Sequence, residues 1–313
     1  MGIKNLNRFL NDNCSREAIS KKNLKQFANK TIVIDTSIYL YKFLSEDALM
    51  ENMYLFISIL KSHRICPLFI FDGKPPLEKR DLLRQRRIDR KYAEEKYLTL
   101  KETTNDNITK EMQLEMDHLK RQMTRVYDED IVKVKALMDA YGVNYYDAPG
   151  EADLLCAYFV KSGLAWACLS DDMDMFLYGC PFVIRNLSLM NHTVTLYDTK
   201  VILRDLEMTE ERFCEIMVLS GTDYNLKSNT SLKDSINLFC EYKKQHSDIG
   251  FYDWLVKYTK YINDIESLNN IFNLFQLENH NELQAWNNID ISNKPVNEKA
   301  LREIMEKDGF IFK

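Results

Sequence analysis

Short apolar runs alternate with helix-forming segments in the first part of the chain, and acidic residues follow the runs directly. Three runs have the length and composition of buried strands, and they span residues 31–34, 68–71 and 164–169. A fourth strand is predicted near residues 143–146, before a turn that opens a helix at about Glu151. This alternation predicts an α/β fold with a mostly parallel central sheet flanked by helices.

Carboxylates occur where such a sheet binds its ligands. Ligands of open parallel sheets bind beyond the carboxyl ends of the strands. Asp35, Asp72 and Asp172 each follow a predicted strand, and Glu151 and Asp153 lie at a turn that opens a helix. We therefore expect four segments to bring carboxylates to one edge of the sheet.

A shared acidic site is the hypothesis that explains these residues together. Like charges held close raise one another's pKa and destabilise the fold unless a cation neutralises them. Asp172 and Asp174 are two positions apart, so an extended segment directs both side chains to one face. For any single acid, the beginning of a turn is an equally good explanation. The candidate metal ligands are Asp35, Asp72, Glu151, Asp153, Asp172, Asp174 and Asp223.

We expect divalent metal ions to neutralise the negative charge of these acids. Mg²⁺, for which Mn²⁺ can substitute, prefers oxygen ligands, and the lack of His or Cys beside the acids disfavours zinc. Two such ions about 3.5 to 4 Å apart activate a water and clamp a scissile phosphate. The predicted reaction is hydrolysis of a phosphodiester bond.

Two helical regions accompany the predicted sheet. Residues 74–125 are helix-forming and basic, with a polar interruption at Glu102–Thr109, and this predicts a helical arch above the strand ends. From residue 226 the sequence is helix-like and Asn-rich, without a comparable strand signal. The predicted organisation is a nuclease core over residues 1–225, arch included, and a helical C-terminal region over residues 226–313.

Composition narrows the class of protein. The longest apolar stretch, Met53–Leu60, is far shorter than the roughly 20 residues of a membrane span, and no secretory signal opens the chain. Seven scattered cysteines without a CxxC pair indicate a reducing intracellular compartment, nucleus or cytoplasm. The net charge of −5 argues against a nucleic-acid coat protein, so any phosphate contact must come from locally basic segments.

Six motifs carry a family resemblance: "MGIKNL", "IVIDTSIYLYKFL", "FIFDGKPP", "DAPGEAD", "SDDMDMFLYG" and "LSGTDY". In order and approximate spacing they resemble the flap endonuclease and XPG superfamily of structure-specific 5′ nucleases, from residue 1 to about 224. The resemblance implies a PIN-like nuclease core. It also implies metal-dependent cleavage of flapped, nicked or gapped DNA in replication, repair or recombination.

The resemblance also implies roles for individual residues. Asp35, Asp72, Glu151 and Asp153 would serve mainly one metal ion, and Asp172, Asp174 and Asp223 mainly the other. Lys79 and Arg86 match the basic gateway positions and, with Asp172, are the expected catalytic residues. Tyr41 matches a position that stacks on a base, for which a core tyrosine is the alternative. The expected DNA-contacting residues are Gly2, Tyr41, Lys79, Arg80, Arg84, Arg86, Arg87, Lys227 and Lys233, and a solvated basic face is the alternative for the arch arginines.

The chain also departs from the family pattern. Asp153 replaces the usual Glu, and no glycine lies between Tyr224 and Gly250, where the family has a glycine-rich turn that holds duplex DNA. We therefore expect a degenerate helix-turn-helix element in the C-terminal region. "QHSDIGFY" is not a sliding-clamp box, because Asp248 replaces an aliphatic residue, so no clamp partner and a monomer are expected. The divergence and Asn enrichment are typical of a viral or streamlined member of the family. If the protein is viral, the expected compartment is a viral factory.

Alternative functions stay open at this stage. A 5′ to 3′ exonuclease, a junction resolvase or an RNA-cutting relative would use the same metal site. A catalytically weakened DNA-binding scaffold is the alternative outside enzymes, but a scaffold has no use for unneutralised acids. No role in chemistry is predicted for the five histidines.

Overall fold

A seven-stranded mixed sheet forms the centre of the molecule in the computed structural model, which describes residues 3–103, 109–225, 230–245, 248–259, 261, 265–287, 289–292 and 294–312. The strand order is β1-β7-β6-β5-β2-β3-β4. The strands from β6 to β4 in this order are parallel, whereas β7 is antiparallel to both β6 and β1. The strands are β1 (Ile19–Asn23), β2 (Thr31–Asp35), β3 (Cys66–Phe71), β4 (Asn144–Asp147), β5 (Ala167–Leu169), β6 (Phe182–Ser188) and β7 (Thr193–Asp198). The predicted fold class is confirmed.

Helices cover both faces of the sheet, so the central strands are buried on both sides. In β2, Val33 faces one apolar core, while Ile32 and Ile34 face the other. The first core includes α1, α7 and α9 to α12, and the second includes α2, α3, α6 and α13. The helices are α1 (Leu6–Asn13), α2 (Thr36–Ser45), α3 (Leu49–Ser62), α4 (Arg80–Thr103), α5 (Lys110–Met123), α6 (Asp128–Tyr141), α7 (Ala152–Lys161), α8 (Thr199–Asp205), α9 (Glu210–Ser220), α10 (Leu232–Lys244), α11 (Phe251–Tyr258), α12 (Ile265–Leu274) and α13 (Glu298–Lys307).

The helix after β2 is interrupted, although the sequence predicts one helix to about Leu60. Residues 46–48 separate α2 from α3. Asp47 has a φ of 53°, a left-handed backbone conformation that a right-handed helix cannot contain. The prediction of a continuous helix was therefore wrong.

The basic segment forms the predicted helical hairpin. Helices α4 and α5 pack against each other, and Ala93 and Leu119 are buried. An ion pair of 2.5 Å between Lys96 Nζ and Glu115 Oε1 joins the two helices. The 3₁₀ turn Leu77–Lys79 connects this arch to the segment that follows β3.

The C-terminal residues return to the edge of the sheet. Asn144 Nδ2 donates to the Ser292 carbonyl at 2.7 Å, and the Tyr146 hydroxyl donates to the Asp290 carbonyl at the same distance. Helix α13 packs on α6. These contacts cover the edge strand β4, whose free backbone groups would otherwise be open to association. No helix in the described part of the chain has the length and apolarity to cross a bilayer.

Candidate active site

The strand ends bring the predicted acids to one edge of the sheet. Asp35 ends β2 and lies opposite Ile70 of the neighbouring strand β3, two residues before Asp72. The loop that carries Asp172 and Asp174 follows β5, which is the other neighbour of β2. Glu151 is the N-cap of α7, and Asp223 follows the end of α9.

Burial and mutual repulsion raise the pKa of three of these carboxylates. Burial, and then the charges of Asp72 and Asp172, raise the pKa of Asp35 to about 8. Burial, followed by Asp35 and Asp172, raises the pKa of Asp153 well above its usual value. The pKa of Asp174 is raised in the same way by burial and then by Asp172, Asp223 and Glu151.

Two serines orient acids within the site, and the sequence analysis assigned neither of them a role. Ser37 Oγ donates to Asp72 Oδ2 at 2.5 Å, and the backbone N–H of Ala152 donates to Oδ1 at 2.8 Å. Ser170 Oγ donates to Asp35 Oδ2 at 3.0 Å. The only sequence signal was position, since both serines lie within two residues of a site acid.

The two predicted gateway residues, Lys79 and Arg86, form ion pairs with acids of the site. Lys79 Nζ is 2.5 Å from Glu151 Oε1, and Arg86 Nη2 is 2.9 Å from Asp223 Oδ2. The Lys79 side chain is 9% exposed. Burial lowers its pKa, but Glu151 and the more distant acids outweigh burial, so the pKa lies above its usual value and Lys79 is charged. Both residues lie at the foot of the arch, which consists of the 3₁₀ turn Leu77–Lys79 and the first turns of α4.

The carboxylates have the chemistry that a hard cation requires. Asp153 Oδ1 and Asp174 Oδ1 are buried without a hydrogen-bond donor among the described residues. Such orphaned acceptors are costly unless a cation or water satisfies them. In the described part of the chain, no group of three or more Asp, Glu, His or Cys side chains is arranged so that it could hold a metal ion by itself. Hard divalent cations keep several waters and share their coordination with substrate phosphates, so a carboxylate site need not surround the ion with protein ligands. The donor set therefore fits a hard divalent cation.

Asp171 bonds to strand β6, although it is adjacent to Asp172. Its Oδ1 accepts the backbone N–H of Asn186 at 2.8 Å, and its carbonyl accepts from Arg185 Nη2 at 2.7 Å. These bonds attach the loop to strand β6. Asp171 therefore has a structural role, and it is not a member of the acid set.

The predicted DNA-contacting residues in the described part of the chain lie at the surface or at the foot of the arch. Tyr41 on α2 is 43% exposed. Arg80, Arg84 and Arg87 are exposed on α4, and Lys233 is exposed in the first turn of α10. Gly2 and Lys227 lie outside the described residues.

The raised carboxyl pKa values predict how stability depends on pH. The pKa of Asp35 is about 8 in the folded protein and about 3.8 in the unfolded chain. Its contribution to the free energy of unfolding is therefore fully present below pH 3.8, and it is lost as the pH rises to about 8. We expect Asp35→Asn to stabilise the fold in EDTA by about 1–3 kcal/mol more at pH 8 than at pH 5. Thermal unfolding of both proteins at the two pH values measures this difference. Parallel pH profiles for the two proteins would contradict it.

Comparison with known proteins places the chain among nucleases. The XPG N-terminal domain matches residues 1–93, and the XPG I-region matches residues 142–223. Flap endonuclease 1 of Methanococcus aeolicus is 27% identical over 96% of this chain and 90% of its own length. Flap endonuclease 1 of Komagataella phaffii is 32% identical, over 72% of this chain and 63% of its own length.

Solved structures show the same fold. The catalytic core of Rad2 in complex with DNA substrate has a TM-score of 0.67 at 22% identity, over 98% of this chain and 94% of that chain. Flap endonuclease-1 from Methanococcus jannaschii has a TM-score of 0.64 at 23% identity, with 93% and 91% covered. Human GEN1 in complex with Holliday junction DNA has a TM-score of 0.62 at 17% identity, with 99% and 74% covered.

Proposed function

The chain belongs to the flap endonuclease and XPG superfamily, and on this premise we propose that it is a divalent-metal-dependent, structure-specific 5′ nuclease. It hydrolyses phosphodiester bonds in flapped, nicked or gapped DNA, in the context of replication, repair or recombination. The observation that carries the proposal is the acidic site at the foot of the arch. Burial and repulsion among its acids raise the pKa of Asp35, Asp153 and Asp174, and Lys79 and Arg86 lie within hydrogen-bond distance of Glu151 and Asp223.

Mg²⁺ is the proposed cofactor, and Mn²⁺ can substitute for it. Two bound ions would activate a water and stabilise the leaving oxygen of an in-line displacement. Asp35, Asp72, Glu151 and Asp153 are the proposed ligands of one ion, and Asp172, Asp174 and Asp223 those of the other. Ser37, Ser170 and the N–H of Ala152 hold Asp72 and Asp35 in fixed orientations.

Lys79 and Arg86 are the proposed contacts of the scissile phosphate. Both positive charges already lie beside the acids, so a phosphate that enters the site meets them at the place where negative charge develops. The charged Lys79 is mostly buried, so water screens its interaction less than at the protein surface. These two residues would therefore act mainly on the rate of the chemical step.

Basic and aromatic residues around the site are the proposed contacts of a DNA substrate. The exposed arginines of α4, Arg80, Arg84 and Arg87, are proposed to contact the DNA backbone. Tyr41 is proposed to stack on a base. The C-terminal region, with Lys233 at the start of α10, is proposed to bind the duplex without the usual glycine-rich turn. We propose that the enzyme is an intracellular monomer that acts without a sliding clamp.

Cleavage of end-labelled DNA tests the proposed function. Matched flap, nick, gap and four-way junction substrates, and an RNA version of the flap, are incubated with the full chain in Mg²⁺ or in EDTA. We expect metal-dependent cleavage near the base of the 5′ flap and little cleavage of the RNA. Preferred, symmetric cutting of the junction would indicate a resolvase, and binding without any cleavage would indicate a scaffold.

A further inference from the structure

Tyr224 contacts both members of an ion pair in the acidic site. Its hydroxyl donates to Glu151 Oε2. Lys79 Nζ binds the other oxygen, Oε1, at 2.5 Å. Both oxygens of Glu151 are therefore held, one by a neutral donor and one by a cation.

The Tyr224 ring contributes separately from its hydroxyl. Lys79 Nζ lies 5.0 Å from the centroid of the ring, within the range of a cation–π interaction. The hydroxyl thus fixes the carboxylate, and the ring fixes the ammonium group. Tyr224 therefore sets the position of Glu151 and Lys79 relative to each other.

Tyr224 is itself held firmly on two sides. Asn225 closes the turn that carries it, because its Oδ1 accepts from the N–H and hydroxyl of Thr222 at 2.6 and 2.7 Å. Phe275, directly after α12, packs edge-to-face on the Tyr224 ring at 5.5 Å and on Tyr178 at 5.0 Å.

We propose that Tyr224 is a positioning residue of the nuclease, which holds Glu151 and Lys79 in a fixed arrangement within the acidic site. The inference rests on the proposed function and adds a residue to it. Tyr224 need not touch the substrate, because its effect passes through Glu151 and Lys79. Deletion of the hydroxyl should therefore alter both metal binding and the rate of cleavage, with little change in DNA affinity.

Tyr224→Phe in the full chain tests the role of the hydroxyl alone. The ring, its packing on Phe275 and the cation–π contact are retained. We expect the single-turnover rate on 5′-flap DNA in Mg²⁺ to fall about 10-fold and the Kd for Mn²⁺ to rise about 10-fold, as for losses of other residues that orient metal ligands. The DNA Kd in Ca²⁺ should change less than about 2-fold. Tyr224→Leu, which also removes the ring, should show a larger fall in the single-turnover rate and a larger rise in the Kd for Mn²⁺.

Tyr252→Phe is the matched control for the loss of a buried tyrosine hydroxyl. This hydroxyl donates to the backbone carbonyl of Glu215 at 2.8 Å, and Glu215 is not one of the seven proposed metal ligands. We expect wild-type rate and Mn²⁺ affinity from this variant. Wild-type values in Tyr224→Phe, or an equal loss in Tyr252→Phe, would overturn the role of Tyr224.

Mn²⁺ affinity separates this inference from the proposed function. If the wild-type protein cleaves none of the substrates but binds Mn²⁺, the proposed function fails, and a weaker Mn²⁺ affinity in Tyr224→Phe alone still supports positioning of Glu151. If the wild-type protein does not bind Mn²⁺, both are overturned. Thermal unfolding of each variant identifies any loss that comes from the fold.

Discussion

Asp172→Ala should abolish Mg²⁺-dependent cleavage of flap DNA, with a loss of at least about a thousandfold, or about 4 kcal/mol of transition-state stabilisation. The charge of Asp172 contributes to the raised pKa of Asp35, Asp153 and Asp174, so Asp172 acts on three other acids of the site. Its removal deletes a proposed metal ligand and lessens the repulsion among the remaining acids. DNA affinity in Ca²⁺ or EDTA should stay largely intact, as measured by fluorescence anisotropy.

Asp171→Asn is the control for this variant. Asp171 is the neighbouring residue, yet its carboxylate oxygen accepts from the backbone of Asn186, and the Asn amide oxygen can still accept this bond. We expect cleavage within about 2-fold of wild type, as for a substitution that keeps its hydrogen bond. Full activity in Asp172→Ala would remove Asp172 from the proposed mechanism. A comparable loss in both variants would assign the effect to the loop, and not to the carboxylate.

Arg86→Ala should slow the chemical step about 100-fold, which corresponds to about 2.7 kcal/mol. Arg86 Nη2 is 2.9 Å from Asp223, so its charge lies beside the proposed position of the scissile phosphate. The interaction strengthens as charge develops in the transition state, and the ground-state complex gains less from it. Single-turnover rates at saturating enzyme measure the chemical step, and the DNA Kd in Ca²⁺ measures binding.

Arg87→Ala provides the comparison, because Arg87 is the next residue of α4 and is exposed. As a proposed contact of the DNA backbone it should change affinity and its salt dependence, with the saturated rate unchanged. A loss of affinity without a loss of rate in Arg86→Ala would refute the gateway role of Arg86.

The central strands were predictable because the sheet buries them on both faces. β2 and β3 are continuous apolar runs for this reason, and such runs stand out from helical periodicity. The hairpin β6–β7 and the edge strand β1 were not predicted. β1 reads "ISKKN" and β7 reads "TVTLYD", in which polar, mostly half-buried residues interrupt the apolar pattern. The pairing of β1 with β7 joins segments far apart in the chain, so no local pattern reveals it.

The acids of the site were predictable, but the residues that orient them were not. Carboxylates after buried strands are unusual enough to identify from the chain alone. Ser37, Ser170 and Tyr224 are common residue types, and their only local signal is that each lies within two residues of a site acid. Tyr224 lies 73 residues from Glu151 along the chain, and only the packing of α9 and α12 brings its hydroxyl to the carboxylate.

The sequence by itself determined the fold class and the helical arch, and it identified candidate acids, because these depend on local hydrophobic pattern and on the chemistry of each residue type. Only the tertiary structure decided that Asp171 bonds to strand β6, that Lys79 and Arg86 lie against Glu151 and Asp223, and that Tyr224 links that pair to the C-terminal helices. The physical reason is that hydrogen bonds and ion pairs depend on distances of a few ångströms between residues far apart in sequence. Such distances are fixed only when the helices pack against the sheet.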